Sequence, residues 1–379
     1  MAFWLEVAAF YCGAALLIHL ASLAVVMRRC ARRPFSPSAS KAGEVSLLRP
    51  VCGLENNLEV TLESSFQLDC PSYEVIFCAA LANDAAVPLV RKLIGAHPEI
   101  EARLLIGDDR PSANPKLNNL AKGWSSARHP WIAMADSNIL LPRDYLDRLA
   151  ACWAPDTGLV SSPAVGVAPQ GMAAEIECAF LNTYEARWQL AADSLGIGFA
   201  QGKTLLWRRD ILDRAGGIAA LGAQAAEDAA ATKIVRRAGL RVRLPSMPFA
   251  QPLGRRDWAE VWRRQVRWAR LRRASFPVFF FPEILAGGAF PLAAAVVAII
   301  GNDLALAWLP AYALAWYGPE YGLARQAGWP RSWRSSLAMP LRDLLLPALW
   351  LCAWTGDAFT WRGNAMQASA KSTAAPALN

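Results

Sequence analysis

Two apolar regions, one near each end of the chain, constrain the fold most. Residues 3–27 (FWLEVAAFYCGAALLIHLASLAVVM) have one acid, Glu6, and about the length of a helix that spans a bilayer. Arg28, Arg29, Arg32 and Arg33 follow at once. A cleaved leader carries its positive charge before the apolar core; here the order is reversed, so the run reads as an uncleaved anchor with a cytoplasmic C-terminal end. Near the other end, residues 276–300 (FPVFFFPEILAGGAFPLAAAVVAII) read as a span interrupted by Pro and Gly. Residues 303–318 are shorter, and 342–354 (RDLLLPALWLCAW) are short enough to be re-entrant or interfacial. Arg325, Arg331 and Arg334 place the loop between those two on the inside.

Between these regions the pattern is different. A Pro/Ser-rich linker (34–44, PFSPSASKAGE) leads into short apolar runs separated by helical stretches. VSLLRP, YEVIFCAA (73–80), ARLLIGD (102–108) and WIAMADS (131–137) predict strands. LEVTLESSFQ, AAVPLVRKLIGA and NPKLNNLAKGW predict the helices between them. Strands buried on both faces and joined by helices make a mostly parallel α/β sheet, whose ligands collect at the carboxyl ends of the strands. The expected organisation is an anchor over 1–28, a linker over 29–44 and a catalytic α/β domain over 45–254. An Arg-rich interfacial helix over 255–275, membrane-associated helices over 276–358 and a tail over 359–379 follow.

Composition narrows the partners. The chain is 54% apolar and has 16 Trp, a residue enriched at membrane interfaces. Its net charge of +8 is concentrated in residues 255–273, which hold eight Arg against two acids directly before an apolar run. That position suits an anionic lipid surface and not a nucleic acid. The eight Cys are scattered without a C-x-x-C and read as small hydrophobes in a reduced compartment. The three His (19, 97, 129) lie far from any nucleophile signature, which argues against Ser-His and zinc hydrolysis.

Four constellations carry candidate chemistry. Asp136 and Asn138, in ADSN, follow a buried strand; a carboxylate there either caps the strand end or holds a divalent cation against a diphosphate. Glu227 and Asp228 open a helix, where acids complement the dipole; Asp228 also suits the general base that sugar transfer to an alcohol requires. Arg264, Arg267 and Trp268 share a helical face that either snorkels at the membrane or neutralises a departing nucleoside diphosphate. Lys116 and Asn119, in NPKLNN, stand at a loop-to-helix junction suited to phosphate or ribose, although a lone Lys at such a point is commonly solvent-facing.

The order of strand-end Asp, Glu-Asp, R-x-x-R-W and terminal apolar segments resembles that of the ceramide glucosyltransferases, membrane-bound relatives of the inverting glycosyltransferases with the GT-A fold. The local matches are VSLLRPVCGLENNLEVTLESSFQLDCPSYEVIFC, ARLLIGDDRPSANPKLNNLAKGW, ADSNI, GLVSSP, RRDILDRAGGI and AEDAAATKIVRRAG, covering about residues 45–275. The resemblance implies a GT-A domain with N- and C-terminal transmembrane helices, in the cytoplasmic (inner) membrane with the catalytic domain cytoplasmic. It implies a UDP-sugar donor, most simply UDP-glucose, a Mg²⁺ or Mn²⁺ cofactor, inversion at the anomeric carbon and ceramide as the lipid acceptor. It places Asp136 at metal and diphosphate, Glu227 and Asp228 at the catalytic centre with Asp228 as base, and Lys116 and Asn119 at the donor. Arg264, Arg267 and Trp268 fall at the leaving group and acceptor.

One position departs from that family's pattern. Where the family has an Asp soon after the second strand, thought to contact uridine, this chain has Leu81; the nearest acid is Asp84, in LANDAA. Either a small loop shift lets Asn83 or Asp84 take the role, or uracil is recognised differently. Three alternatives stay open on the sequence. One is transfer to another lipid, such as a hopanoid, from UDP-GlcNAc or another UDP-sugar. A processive synthase would need more spanning helices than this chain offers, and a catalytically silent nucleotide-sugar-binding protein would leave Asp136, Asp228 and R-x-x-R-W without a purpose.

Overall fold

The computed structural model describes residues 2–31 and 43–369; most of the expected linker and the last part of the expected tail lie outside the described residues. The chain divides into two compact units. One comprises Arg33–Val165, Leu195–Gly254 and Ala358–Asn379; the other comprises Met1–Arg32, Gly166–Ser194 and Arg255–Asp357. The stretch Gly166–Ser194, which falls inside the span expected to be catalytic, therefore groups with the apolar terminal helices.

The strands in chain order are β1 (Val45–Val51), β2 (Tyr73–Ala79), β3 (Glu101–Ile106), β4 (Trp131–Ala135), β5 (Thr157–Ser162) and β6 (Ala164–Gln170). They continue as β7 (Thr204–Arg208), β8 (Arg241–Arg243), β9 (Phe249–Arg255), β10 (Ala358–Trp361) and β11 (Asn364–Gln367). The first unit is built on a seven-stranded sheet of order β3-β2-β1-β4-β7-β5-β8. β1 runs parallel to β2 and β4, and β2 to β3, whereas β7 is antiparallel to both β4 and β5. The four strands read from the sequence are present within one or two residues of their expected ends. β1 and β2 are buried along nearly their whole length, as their continuous apolar runs require, and β3, the edge strand, is not. Leu47, Val75, Phe77, Ala133 and Phe249 form the centre of this core.

The order of strands creates the crevice that matters. The chain lays β1, β2 and β3 outward on one side, then returns to place β4 on the other side of β1. The connections after β1 and β4 thus leave in opposite directions, which opens a ligand crevice at the strands' carboxyl ends. Antiparallel β7 brings its first residues to the same edge, with Thr204 paired to Ala135.

The other unit is helical. Its N-terminal helix, Ala2–Ala31, and the helix Trp333–Trp354 are each long and apolar enough to cross a membrane. The run expected over 276–300 is instead a bent pair, Pro277–Leu285 and Ala289–Gly301, with a 40° break. Its Pro and Gly residues account for the interruption. The shorter candidate, expected over 303–318, is helical only from Trp308 and runs on to Gln326, and the segment expected to be marginal is the C-terminal part of the 22-residue helix Trp333–Trp354. Both helices also take in the flanking arginines Arg325 and Arg334, leaving Arg331 between them.

Charged groups are buried among these apolar helices. Arg342 Nη2 lies 3.1 Å from Glu320 Oε1 and 2.8 Å from Asp343 Oδ1, and its Nη1 donates to Thr183 Oγ1 at 2.7 Å. Asp343 Oδ2 also accepts the Gly288 N–H at 2.8 Å, so the carboxylate satisfies a backbone donor freed by the helix break. His19, which the sequence analysis set apart from catalysis, accepts from Arg187 Nη1 at 3.3 Å and donates through Nε2 to the Trp316 carbonyl at 2.9 Å. Each ion here has a partner, as burial of charge in an apolar setting demands.

Candidate active site

Asp136 is the first residue after β4 and stands at the switch-point crevice. Its N–H donates to the Lys203 carbonyl at 3.1 Å, which continues the β4–β7 pairing by one rung. The following loop is held from below by Arg49, fully buried on β1, whose Nη2 donates to the carbonyls of Ser137 (3.2 Å), Ile139 (3.1 Å) and Thr61 (2.8 Å). A guanidinium spent on three carbonyls fixes the direction in which Asp136 leaves the strand.

Both Asp136 oxygens face ammonium groups. Oδ1 lies 2.6 Å from Lys116 Nζ and Oδ2 lies 3.2 Å from Lys203 Nζ. Burial by itself would raise the Asp136 carboxyl, but the two lysines outweigh it and hold the group below its ordinary value. Lys116 reaches the crevice from the start of the helix Pro115–Ser126. That helix begins where it does because Asn114 caps it, accepting the N–H groups of Lys116 at 2.9 Å and Leu117 at 3.3 Å. Lys116 Nζ also meets Glu227 Oε1 at 2.8 Å and the Gly202 carbonyl at 2.5 Å. The Asn114 amide closes the circuit by donating to Glu227 Oε2 at 3.0 Å. Lys116 is thus not a solvent-facing lysine.

Glu227 and Asp228 begin the helix Glu227–Arg237. Asp228 Oδ2 accepts the Gly202 N–H at 3.0 Å, and Oδ1 accepts the Ala229 N–H at 2.8 Å. Removal from water, and then the neighbouring Glu227 charge, raise its pKa from 3.8 to about 6 despite those two hydrogen bonds. A carboxylate tuned to that value is ionised near neutrality yet basic enough to take a proton. Gly202 is required for the approach: a Cβ there would fall 2.5 Å from Glu227 Oε1 and 3.5 Å from Lys116 Nζ.

The remaining expected donor-side residues have distinct surroundings. Asn138 donates to Glu55 Oε2 at 3.0 Å and accepts from Lys203 Nζ at 3.2 Å. Asn119 donates its amide to the carbonyls of Val51 at 3.3 Å and Cys78 at 2.7 Å, so it ties together the ends of β1 and β2, and its oxygen accepts from Lys122 at 2.7 Å. Asp84 accepts the N–H of Gly53 at 2.9 Å and that of Ala86 at 2.8 Å, which pins the loop after β1 to the turn after β2. Asn83 and Leu81 are exposed beside it.

Arg264, Arg267 and Trp268 lie on the helix Trp258–Ser275 of the helical unit. Arg264 pairs with the buried Glu177 and, at 2.8 Å, with Glu260, and burial lowers its pKa to about 10. Arg267 and Trp268 are partly buried.

Sequence reasoning missed Asn114, Lys203, Gly202 and Glu55. Asn114 had a local signal, since Asn followed by Pro is a helix-start pattern. Lys203 and Glu55 had none, because neither a Lys before a strand nor a Glu after one stands out without its neighbours.

The hard oxygens of Asp136 and Asn138 suit Mg²⁺ or Mn²⁺. Among the described residues there is no cluster of three or more His, Cys, Asp or Glu side chains arranged to hold a metal, and Asp136 is the carboxylate that would hold the cation.

A mostly parallel sheet with acids at its switch point, joined to apolar terminal helices, defines a membrane-associated glycosyltransferase of the GT-A fold. Over 93% of this chain and 97% of the other, the structure is similar to a mannosyltransferase, PcManGT from Pyrobaculum calidifontis, solved with GDP-Man and Mn²⁺; the TM-score is 0.51 at 19% identity. The family model of glycosyl transferase family 21 matches residues 14–374, and the chain belongs to that family. Ceramide glucosyltransferase 1 of Caenorhabditis elegans is 30% identical over 243 residues, 64% of this chain and 52% of the relative. Ceramide glucosyltransferase 3 of the same organism is 26% identical over 357 residues, 92% of this chain and 77% of the relative. The chain thus spans about half the length of the first of these relatives and about three quarters of the second.

Proposed function

We propose that the protein transfers glucose from UDP-glucose to the primary hydroxyl of ceramide, with inversion, at the cytoplasmic face of the cytoplasmic membrane. The observation that carries this reading is Asp228, a carboxylate raised to about 6 and oriented by two backbone N–H groups beside a crevice lined by Lys116 and Lys203. The names of the family-21 relatives support the donor and the acceptor.

In this reading the donor's diphosphate lies against Lys116 and Lys203, whose positive charges attract it. Asp228 accepts the proton of the acceptor hydroxyl as that oxygen forms its bond to the anomeric carbon. The bond from that carbon to the diphosphate oxygen breaks, its electron pair leaves on UDP, and attack from the opposite face inverts the centre. A Mg²⁺ or Mn²⁺ held by Asp136 supplies further neutralisation of the diphosphate. The resemblance assigns Arg264, Arg267 and Trp268 to the departing diphosphate and the acceptor.

The test is a transfer assay on purified full-length protein in detergent, with lipid products weighed by mass spectrometry. Ceramide is offered with UDP-glucose, UDP-galactose, UDP-GlcNAc and UDP-glucuronate in turn, with and without metal. Metal-dependent glucosylceramide is the expected product. Modification of a different lipid in a total extract would remove ceramide and leave the chemistry standing, and no acceptor-dependent UDP release from any donor would sink the reading.

A further inference from the structure

The region expected to be a simple tail forms a β-hairpin that returns to the crevice. β10 and β11 pair antiparallel with Trp361 opposite Asn364, so Arg362 and Gly363 alone make the turn. Both have positive φ, 51° and 77°, the geometry of a two-residue turn normally built from Asn-Gly or Gly-Gly. A non-glycine residue with a long side chain in the first of these positions costs backbone strain, which persists where something outside the turn holds the side chain. What holds it here is Glu55: Arg362 Nη2 forms an ion pair with Glu55 Oε1, whose side chain is only 12% exposed.

Glu55 lies in the loop after β1, one of the two loops that flank the switch point. Its other oxygen accepts from Asn138 at 3.0 Å; Asn138 in turn accepts from Lys203, and Lys203 reaches Asp136 at 3.2 Å. A continuous chain of polar contacts, ionic at both ends and passing through the Asn138 amide, therefore runs from the hairpin tip to the strand-end carboxylate. Without Arg362, Glu55 would be a part-buried acid linked through the Asn138 amide to the Lys203 ammonium. Lys203 would then be drawn from Asp136 toward Glu55, and the crevice would lose a cation.

We propose that Arg362 is a positioning residue for the donor: by neutralising Glu55 it keeps Asn138 and Lys203 aimed at the diphosphate. This inference rests on the reading of the crevice as a UDP-sugar site. It concerns binding and not proton transfer, because Asp228 is held by Gly202 and Ala229 and takes no part in the chain of contacts.

The experiment compares wild type, Arg362→Ala, Arg362→Lys, Glu55→Gln and the Arg362→Ala/Glu55→Gln double variant, all full-length in detergent. UDP affinity is read by titration calorimetry without acceptor, and donor KM and kcat are read separately. Arg362→Ala is expected to weaken UDP binding and raise donor KM about tenfold, the size of one charged hydrogen-bonding contact, with kcat at saturating donor nearly unchanged. Arg362→Lys restores most of the loss. Glu55→Gln removes the charge Arg362 neutralises, so the double variant is no worse than Arg362→Ala alone. The proposal is overturned by wild-type KM and UDP affinity in Arg362→Ala, by a fall in kcat at unchanged KM, or by additive losses in the double variant. If Arg362→Ala does not fold, Glu55→Gln carries the decision: a near-wild-type KM supports the proposal, and a KM raised about tenfold overturns it. A wild type that binds no UDP removes the donor-site reading itself, and this inference with it.

Discussion

Lys116 and Glu227, 111 residues apart in the chain, meet at 2.8 Å, and the same ammonium group meets Asp136 at 2.6 Å. One lysine thereby joins the carboxyl end of β4 to the start of the helix that carries Asp228. The site is a charge-compensated constellation before any ligand arrives, and Lys116 is the member on which two acids depend.

Lys116→Met should therefore cost more than a donor contact. Leaving Asp136 and Glu227 without their shared partner is expected to destabilise the α/β unit by about 3 kcal/mol, the scale seen when one partner of a buried pair is removed. Thermal unfolding followed by tryptophan fluorescence measures the loss, and UDP affinity should fall in parallel. A variant with wild-type stability would mean that the two acids find other compensation.

Asp228→Asn separates binding from chemistry. Loss of a general base is expected to reduce kcat by about 10²–10⁴-fold while UDP affinity stays within about threefold of wild type. Retained turnover would remove Asp228 as the base.

The same residue sets two pH dependences. As base it acts only when ionised, so kcat/KM should rise with pH through about 6 and then level off. Stability runs the other way. The folded protein holds the Asp228 proton up to about 6 whereas an unfolded aspartate releases it near 3.8, so stability falls as pH rises through that window. Asp228→Asn should consequently unfold at a higher temperature than wild type at pH 8, with the difference shrinking toward pH 4. A rate profile flat from pH 5 to 8 would contradict the assignment.

Gly202→Ala should disable the site without touching a charged residue. Its Cβ would sit 2.5 Å from Glu227 Oε1, too close for any real contact, so Glu227 must move and Lys116 with it. A fall in kcat/KM of at least about tenfold is expected for displacement of the catalytic helix start. Wild-type kinetics would show that the loop can give way.

In the helical unit, Arg342→Met leaves Glu320 and Asp343 buried without their common partner. A loss of about 3 kcal/mol is expected, read as a lower midpoint in a detergent thermal-shift assay. UDP affinity, proposed to rest on Lys116 and Lys203 of the other unit, should change little in protein that remains folded.

Local pattern in the chain was enough for part of this. The strands β1 to β4 declare themselves as short apolar runs, and the long apolar N-terminal helix declares itself by its length. Asp136, Lys116 and Asp228 were recognisable because each sits at an element boundary, where a polar residue next to an apolar run stands out. The bent helix pair was half legible: Pro and Gly marked an interruption, but only packing decided that Asp343 would satisfy the Gly288 N–H at the break.

What tertiary structure alone decided is which of those boundary residues share a site. Lys203, Glu55, Gly202 and Arg362 carry no periodicity and no motif; they matter because the switch from β1 to β4, the reversal at β7 and the return of the hairpin bring them to one crevice. The grouping of Gly166–Ser194 with the apolar helices is of the same kind. Periodicity and capping are set by neighbours a few residues away and can be read along the chain. Convergence of charges from six separate segments depends on long-range packing, whose energy is spread over the whole core and leaves no local mark on the residues it assembles.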